Sequence, residues 1–339
     1  MKFPRVSIIV HVYNVEPYIA ECLQSVMRQT YGGPMECILV NDCGTDYSLG
    51  VADRLIADYK GPIEFRVLHH DTNKGLSCAR NTGMGAAIGE YVYFLDSDDY
   101  LTDDCINHLV SIAIDGEGKY DVIAGNHDEF GERVSEGKVK TDYGFVVSGE
   151  EYLRLFQFEH SVPGGAWNKL LRRSYLQKYN MGFIPNMVQE DYVFLFRFSC
   201  QPTLFYVSNK VTYHYRIRPG SIVHELSDPV KLRTSDYMVW TSMWRYCEKE
   251  KYNETHESLL HEFAYRYFLT SYKNGLDFKT VFSEFHKEYP YKPWMVWLKG
   301  KQNFKWYRSR MMWSLPTPLG YIWLHLKWRK KGVVKETVQ

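Results

Sequence analysis

The sequence holds 339 residues, 45% of them hydrophobic and 24% charged, with a formal net charge of +1. At roughly 150 residues per domain this is a globular chain of about two units with a full core, which excludes a disordered chain, a collagen and a coiled-coil rod. The near-neutral total conceals an asymmetry: residues 299–339 carry ten Lys or Arg against one acid, Glu336, and eight of the nine tryptophans fall between Trp240 and Trp328.

In chain order, residues 6–12 form a β-rich apolar run ended by Tyr13-Asn14. Pro17 suits the first turn of a helix, and Ile19, Cys22, Leu23, Val26 and Met27 follow at helical spacing. A second strand at 37–40 ends in Asn41-Asp42, and a helix is predicted over 47–59. A third strand at 65–68 ends in His69-His70-Asp71, followed by a helix rich in small residues over 77–88. A fourth strand at 91–95 ends in Asp96-Ser97-Asp98-Asp99, and another helix leads to a strand at 122–124. The alternation predicts an α/β fold with a mostly parallel sheet flanked by helices. Ligands of such sheets bind beyond the carboxyl ends of the strands, where this chain places acids three times in succession.

Residues 133–215 read as mixed. A strand or extended segment is expected at 139–147, helices at 149–158, 174–179 and 190–199, and the alternation over 204–215 reads as a strand pair. From 228 to 289 the pattern turns helical and aromatic, and beyond Pro290 it is broken by Pro293, Pro316 and Pro318. The expected domains are 1–225 and a helical, aromatic and basic region at 226–339. Seven scattered cysteines without a C-x-x-C pair speak against a zinc site or disulfide scaffold and fit a reduced, cytoplasmic chain. The amino terminus enters a strand pattern directly, without a secretory signal, and no run of 18 apolar residues marks a membrane span.

The acid cluster Asp96-Ser97-Asp98-Asp99 carries the strongest chemical signal. Carboxylates packed this tightly at a strand end repel one another unless a hard divalent cation, Mg²⁺ or Mn²⁺, neutralises them and recruits phosphate oxygens. A helix N-cap role for Asp99 explains the local pattern equally well. Asp42 could accept a hydrogen bond from a base or ribose, or merely cap a turn. Arg80 begins a helix after a turn glycine and could meet phosphate, or pair with a strand-end acid. Glu190-Asp191 opens a helix, where acids are common for electrostatic reasons alone. Arg216, Arg218 and His224 flank Pro219-Gly220-Ser221, a basic loop able to close over a diphosphate or simply to lie at the surface.

Taken together, the order of these segments resembles the family 2 inverting glycosyltransferases of GT-A fold, from Val6 to about His224. The resemblance is carried by Val6-Ser7-Ile8-Ile9-Val10 with Val12-Tyr13-Asn14, Asn41-Asp42 to Asp46, Gly75 to Asn81, Phe94 to Asp99, Trp167-Asn168-Lys169, Glu190-Asp191 and Tyr215 to Ile222. His11, Asn41 and Cys43 depart from the family's usual proline and acid-acid-glycine pattern. The resemblance implies a Rossmann-like GT-A sheet with a C-terminal helical extension and the following roles. Val12, Tyr13 and Asp42 lie against the base of a nucleotide-sugar donor, and Asp42 reads it. Arg80 lies near the donor phosphates and Asp96 near the ribose. Asp98, with His224, holds the metal, Mn²⁺ or Mg²⁺. Arg216 and Arg218 fold over the diphosphate, Asp191 is the general base, and Trp167, Lys169 and Glu190 face the acceptor.

The activity so implied is transfer of a sugar from a UDP-sugar to a glycan or lipid-linked glycan in surface-polysaccharide assembly. Two other readings are a donor-binding subunit without catalysis and a sugar nucleotidyltransferase; the latter usually wants a glycine-rich phosphate loop that this sequence lacks. The tail sets Trp306, Trp313, Trp323 and Trp328 among basic residues, the composition of a peripheral contact with anionic membrane at the cytoplasmic face or of a solvated tail. No nucleic-acid motif accompanies the charge.

Overall fold

The computed structural model describes residues 3–221 apart from 133 and 138, residues 228–247, and positions 256, 259, 260, 263, 266, 267 and 271. His224 and the basic tail lie outside the described residues. The backbone divides into two compact units, Met1–Ile222 with Arg245–Lys251, and Val223–Trp244 with Tyr252–Gln339.

The first unit is built on a nine-stranded sheet. Its strands are β1 Val6–Val12, β2 Met35–Asn41, β3 Glu64–His69, β4 Tyr91–Asp96, β5 Tyr100–Leu101, β6 Val122–Gly131, β7 Phe145–Ser148, β8 Lys169–Arg172 and β9 Leu204–Ile217. The order is β3-β2-β1-β4-β8-β6-β9-β5, with β7 on β9. β1 pairs in parallel with both β2 and β4, and β2 with β3. The apolar runs of β1, β2 and β4 are buried almost end to end, as central parallel strands covered on both faces must be. The covering helices are α1 Ile19–Met27, α2 Ser48–Asp58, α3 Gly75–Ala86 and α4 Cys105–Asp115, followed by α5 Gly149–Arg154, α6 Arg173–Lys178 and α7 Glu190–Ser199.

α3 lies close on β1 because Gly83 has no side chain: a Cβ there would stand 2.4 Å from Ile9 Cγ2. This close approach lets Arg80, one turn earlier, reach the strand ends.

Three features differ from the sequence reading. Residues 204–215 are one long strand, not a strand pair. The Ser208-Asn209-Lys210 stretch is taken up as an irregularity within the strand: Ala124 pairs with Val207, but Asn126 pairs with Val211. The Asn126 side-chain amide donates to Asn209 O at 3.0 Å and to Val139 O at 3.1 Å, tying the irregular stretch to its neighbours. Second, β8 inserts antiparallel between β4 and β6, so the sheet is mixed beyond β4. Third, the helix expected at 149–158 is an α-helix only to Arg154 and continues as a π-helical turn, Leu155–Glu159.

In the second unit, α8 Pro229–Cys247 buries Val239, Trp240 and Met243. Its buried Asp236 accepts from Arg266 at 2.7 Å, and the Tyr237 and Tyr267 rings meet at 5.1 Å. No helix among the described residues is long and apolar enough to cross a membrane.

Candidate active site

The carboxyl ends of β1, β2 and β4 share one rim because the three strands are parallel and in register, His11 lying beside Asp96 and Val12 beside Asn41. Left-handed backbone turns the chain at Asn14 (φ 51°), Cys43 (φ 56°) and Gly75 (φ 81°) around this rim. Cys43 stands where the related pattern has glycine, and its thiol donates to His70 O at 2.8 Å, helping to hold a conformation a non-glycine residue seldom adopts.

Asp42 is completely buried. Its Oδ1 accepts from His70 Nδ1 at 2.6 Å and from the Lys74 amide at 2.8 Å, and its Oδ2 accepts from the Gly75 amide at 2.7 Å. Burial alone would raise this carboxyl, yet the nearby His11 ring, 3.6 Å from Oδ2, and the hydrogen bonds from Lys74, His70 and Gly75 outweigh it and hold it far below the usual carboxylate range. Here Asp42 anchors the loop that starts α3, and it does not reach out to a base. Val12 is likewise buried and offers the rim only its backbone, while Tyr13 beside it is exposed.

The Asp96–Asp99 turn closes with the Asp99 amide donating to Asp96 O at 3.1 Å. Asp99 is buried and accepts from Tyr213 Oη at 2.6 Å and from the Arg216 amide at 2.7 Å. Asp98 Oδ2 accepts from Arg218 Nε at 2.8 Å, and Asp98 O accepts from Arg216 Nε at 2.8 Å. Arg216 and Arg218 both lie over the Tyr18 ring, and Arg216 also pairs with Glu21 of α1. Burial and the Asp96 charge push the Asp98 carboxyl up in spite of Arg218, and burial with its two acidic neighbours pushes Asp99 well up. The turn's donors are hard oxygens, which suits Mg²⁺ or Mn²⁺. Among the described residues no three His, Cys, Asp or Glu side chains converge as a complete metal site.

Arg80 does not face the phosphates as expected. It is 2% exposed, lies over the Phe183 ring at 5.2 Å, and is surrounded by carboxylates. Nη2 donates to Asp96 Oδ1 at 2.9 Å, and Nη1 donates to Glu190 Oε1 at 2.6 Å and to Asp191 Oδ1 at 3.1 Å. Of the two open readings of Arg80, pairing with a strand-end acid is the one the structure gives, extended to three acids. This guanidinium brings Asp191 to the same rim as Asp96.

Glu190 and Asp191 open α7 after Gln189, whose left-handed φ of 65° swings them inward. Asp191 Oδ1 also accepts from the Ala166 amide at 3.0 Å, whereas Oδ2 has no partner among the described residues. Burial raises the Asp191 carboxyl, Arg80 opposes this and Asp96 adds to it. Burial and Asp191 raise Glu190.

The expected acceptor face needs correction at two residues. Lys169 is fully buried; its ammonium donates to the carbonyls of Pro163 at 3.3 Å and Gly165 and so holds the 163–167 loop that presents the Ala166 amide. Glu190 is buried against Arg80 and is likewise withdrawn from an acceptor. Trp167 remains partly exposed, stacked on Tyr213 at 4.7 Å and Tyr215 at 5.3 Å. The sequence reading missed Tyr213, whose hydroxyl accepts from the Asp96 amide and donates to Asp99. Its place three residues before Arg216, in a strand alternating toward the rim, was the available signal.

The family model for glycosyl transferase family 2 matches residues 7–180, just over half of the chain and the segment that supplies β1 to β4, Arg80 and the Asp96 turn. The chain belongs to glycosyl transferase family 2. This family 2 chain is 35% identical over 230 residues to the putative glycosyltransferase EpsH of Bacillus subtilis (strain 168), covering 66% of this chain and 64% of that one. It is 29% identical over 255 residues to glycosyltransferase GlyA of Streptococcus pneumoniae serotype 4, covering 71% of this chain and 32% of that one. The chain thus spans between about a third and just under two thirds of these two relatives. Its fold resembles the crystal structure of residues 1–349 of Staphylococcus aureus TarS in complex with UDP-GlcNAc, with a TM-score of 0.68 at 20% identity over 98% of this chain and 92% of that one. A mannosyltransferase from Pyrobaculum calidifontis in complex with GDP-Man and Mn²⁺ shares the fold at a TM-score of 0.54 and 15% identity, over 92% and 88% of the two chains. The family 2 GT-A sheet expected from the sequence is the fold observed.

Proposed function

We propose that this protein transfers a sugar, with inversion, from a UDP-sugar to a hydroxyl of a glycan or lipid-linked glycan in the assembly of a surface polymer. The observation that carries the reading is the convergence of Asp191 and the Asp96–Asp98 turn on one rim, both tied to Arg80. An inverting transfer needs a base on one side of the anomeric carbon and a charge-stabilised leaving group on the other. Asp191 presents Oδ2 to take the proton of the acceptor hydroxyl, help worth about 10²–10⁴-fold in rate. Arg216 and Arg218 stand beside Asp98, where negative charge gathers on the departing diphosphate. Tyr13 is exposed at the β1 end for the base, and Asp96 is placed for the ribose. Trp167 offers the acceptor sugar an apolar ring face. A divalent cation held by Asp98, with His224 as a further ligand, would supply charge neutralisation on the diphosphate.

Support for a nucleotide-sugar donor comes from the fold shared with proteins captured with UDP-GlcNAc and GDP-Man. The test is to incubate the chain with a panel of nucleotide sugars, Mg²⁺ or Mn²⁺ and glycan acceptors, then read nucleotide release and product anomeric configuration by NMR. Product of inverted configuration is expected. Retained configuration would overturn the inverting mechanism, and binding of UDP-sugar with neither transfer nor slow hydrolysis would leave a donor-binding subunit instead. The basic, tryptophan-rich residues 299–335 suit a peripheral contact with anionic membrane from the cytoplasmic side. Equal vesicle binding by a 1–298 truncation would remove that contact.

A further inference from the structure

Arg80 is enclosed by more negative charge than a structural ion pair needs. One guanidinium, 2% exposed, serves Asp96 from β4 and both Glu190 and Asp191 from α7. Burying a charged cluster costs several kcal/mol per ion before its members attract one another, so a third carboxylate adds little to stability. What the arrangement does achieve is geometric. The guanidinium is planar and its donors have fixed directions, so the two nitrogens that carry these bonds set Asp96 and Asp191 in one relation. The guanidinium also lies against the Phe94 and Phe183 rings, at 5.9 and 5.2 Å, and these two rings meet edge to face at 5.3 Å. The Asp191 oxygen that Arg80 takes, Oδ1, is the one the Ala166 amide also takes, and Oδ2 takes neither donor.

We propose that Arg80 is a positioning residue of the transfer reaction, fixing the Asp191 carboxylate relative to the donor-side Asp96 and keeping it ionised. The proposal rests on the transfer reading above. It assigns Arg80 no contact with the donor, because its guanidinium is enclosed. The charged groups facing Asp191 are Arg80 from α3, Asp96 from β4, Lys169 from β8 and Glu190 on its own helix. Arg80 and Lys169 favour the ionised base, and the two acids oppose it. Removing a positive neighbour must therefore move the acid limb of the rate profile to higher pH, and removing a negative one must move it to lower pH.

The experiment compares wild type with Arg80→Gln, Arg80→Lys and Glu190→Gln. It measures kcat against pH, donor affinity by calorimetry with UDP and Mn²⁺, and thermal stability. Arg80→Gln should lower kcat by about tenfold to a hundredfold with donor affinity within about twofold. Its acid limb should rise by about one pH unit or more, with Arg80→Lys between it and wild type. Glu190→Gln should move the limb down. Weakened UDP binding with kcat unchanged would assign Arg80 to the phosphates and overturn the proposal. A lowered melting temperature with an unmoved acid limb would overturn it too, by showing a purely structural pair. Should the Arg80 variants fail to fold, Glu190→Gln decides alone, and an acid limb that stays or rises refutes the proposal. Wild type that binds UDP yet transfers no sugar brings down the transfer reading, and this inference with it, before any variant is compared.

Discussion

Arg218 donates through Nε to Asp98 Oδ2 at 2.8 Å, a side-chain bond between residues 120 apart in the chain. It places a cation on the carboxylate proposed to hold the metal. The bond joins the end of β9 to the turn after β4, so the basic loop and the acid turn form one assembly before any donor arrives.

That assembly predicts the behaviour of Asp98→Ala. Calorimetry with UDP and Mn²⁺ should show loss of the metal-dependent part of donor affinity, while Arg216, held by the Asp98 backbone carbonyl and by Glu21, stays in place. Affinity equal to wild type with the metal present would show that Asp98 is no ligand.

Asp191→Asn keeps the shape and the contacts of Oδ1 but removes the base. Transfer should fall by about 10²–10⁴-fold, with UDP affinity nearly unchanged. A variant that kept most of its activity would move the base elsewhere.

Asp42 predicts a pH dependence of stability. Its folded carboxyl lies far below the unfolded value of about 3.9, because His11, His70 and two backbone amides hold the ionised form. A group depressed in this way adds stability that is fully present above the unfolded pKa and is lost as pH falls toward the folded one. Asp42→Asn should therefore be less stable than wild type in urea at pH 7, and the gap should narrow below about pH 4. A gap independent of pH would mean that the contribution is shape alone.

Lys169→Met should act on stability rather than on acceptor affinity. It leaves the carbonyls of Pro163 and Gly165 without their ammonium donor, a loss of about 1–3 kcal/mol in urea unfolding. Unchanged stability with a raised acceptor KM would restore the acceptor role read from the sequence.

The sequence alone determined the first four strands of the sheet and the polar groups that follow them. β1, β2 and β4 are apolar almost throughout because both their faces are covered, and the acids that follow them mark the carboxyl rim. Glu190-Asp191 was legible as a pair at a helix start. Direction and burial were decided only by the tertiary structure. A local pattern says that Arg80, Asp42 and Lys169 are polar and near the rim, but not whether each opens to solvent or is enclosed by partners. Each is enclosed: Arg80 by acids 16, 110 and 111 residues away, Asp42 by His70 and the Lys74 and Gly75 amides, Lys169 by the carbonyls of the loop before it. The long strand β9 was misread for the same reason. Its alternation reads as a strand pair, whereas in the fold Asn126 of the neighbouring strand bridges its irregular middle at Asn209. A charge on a side chain is a property of the sequence; the partner that neutralises it, and so the role it can play, is a property of the fold.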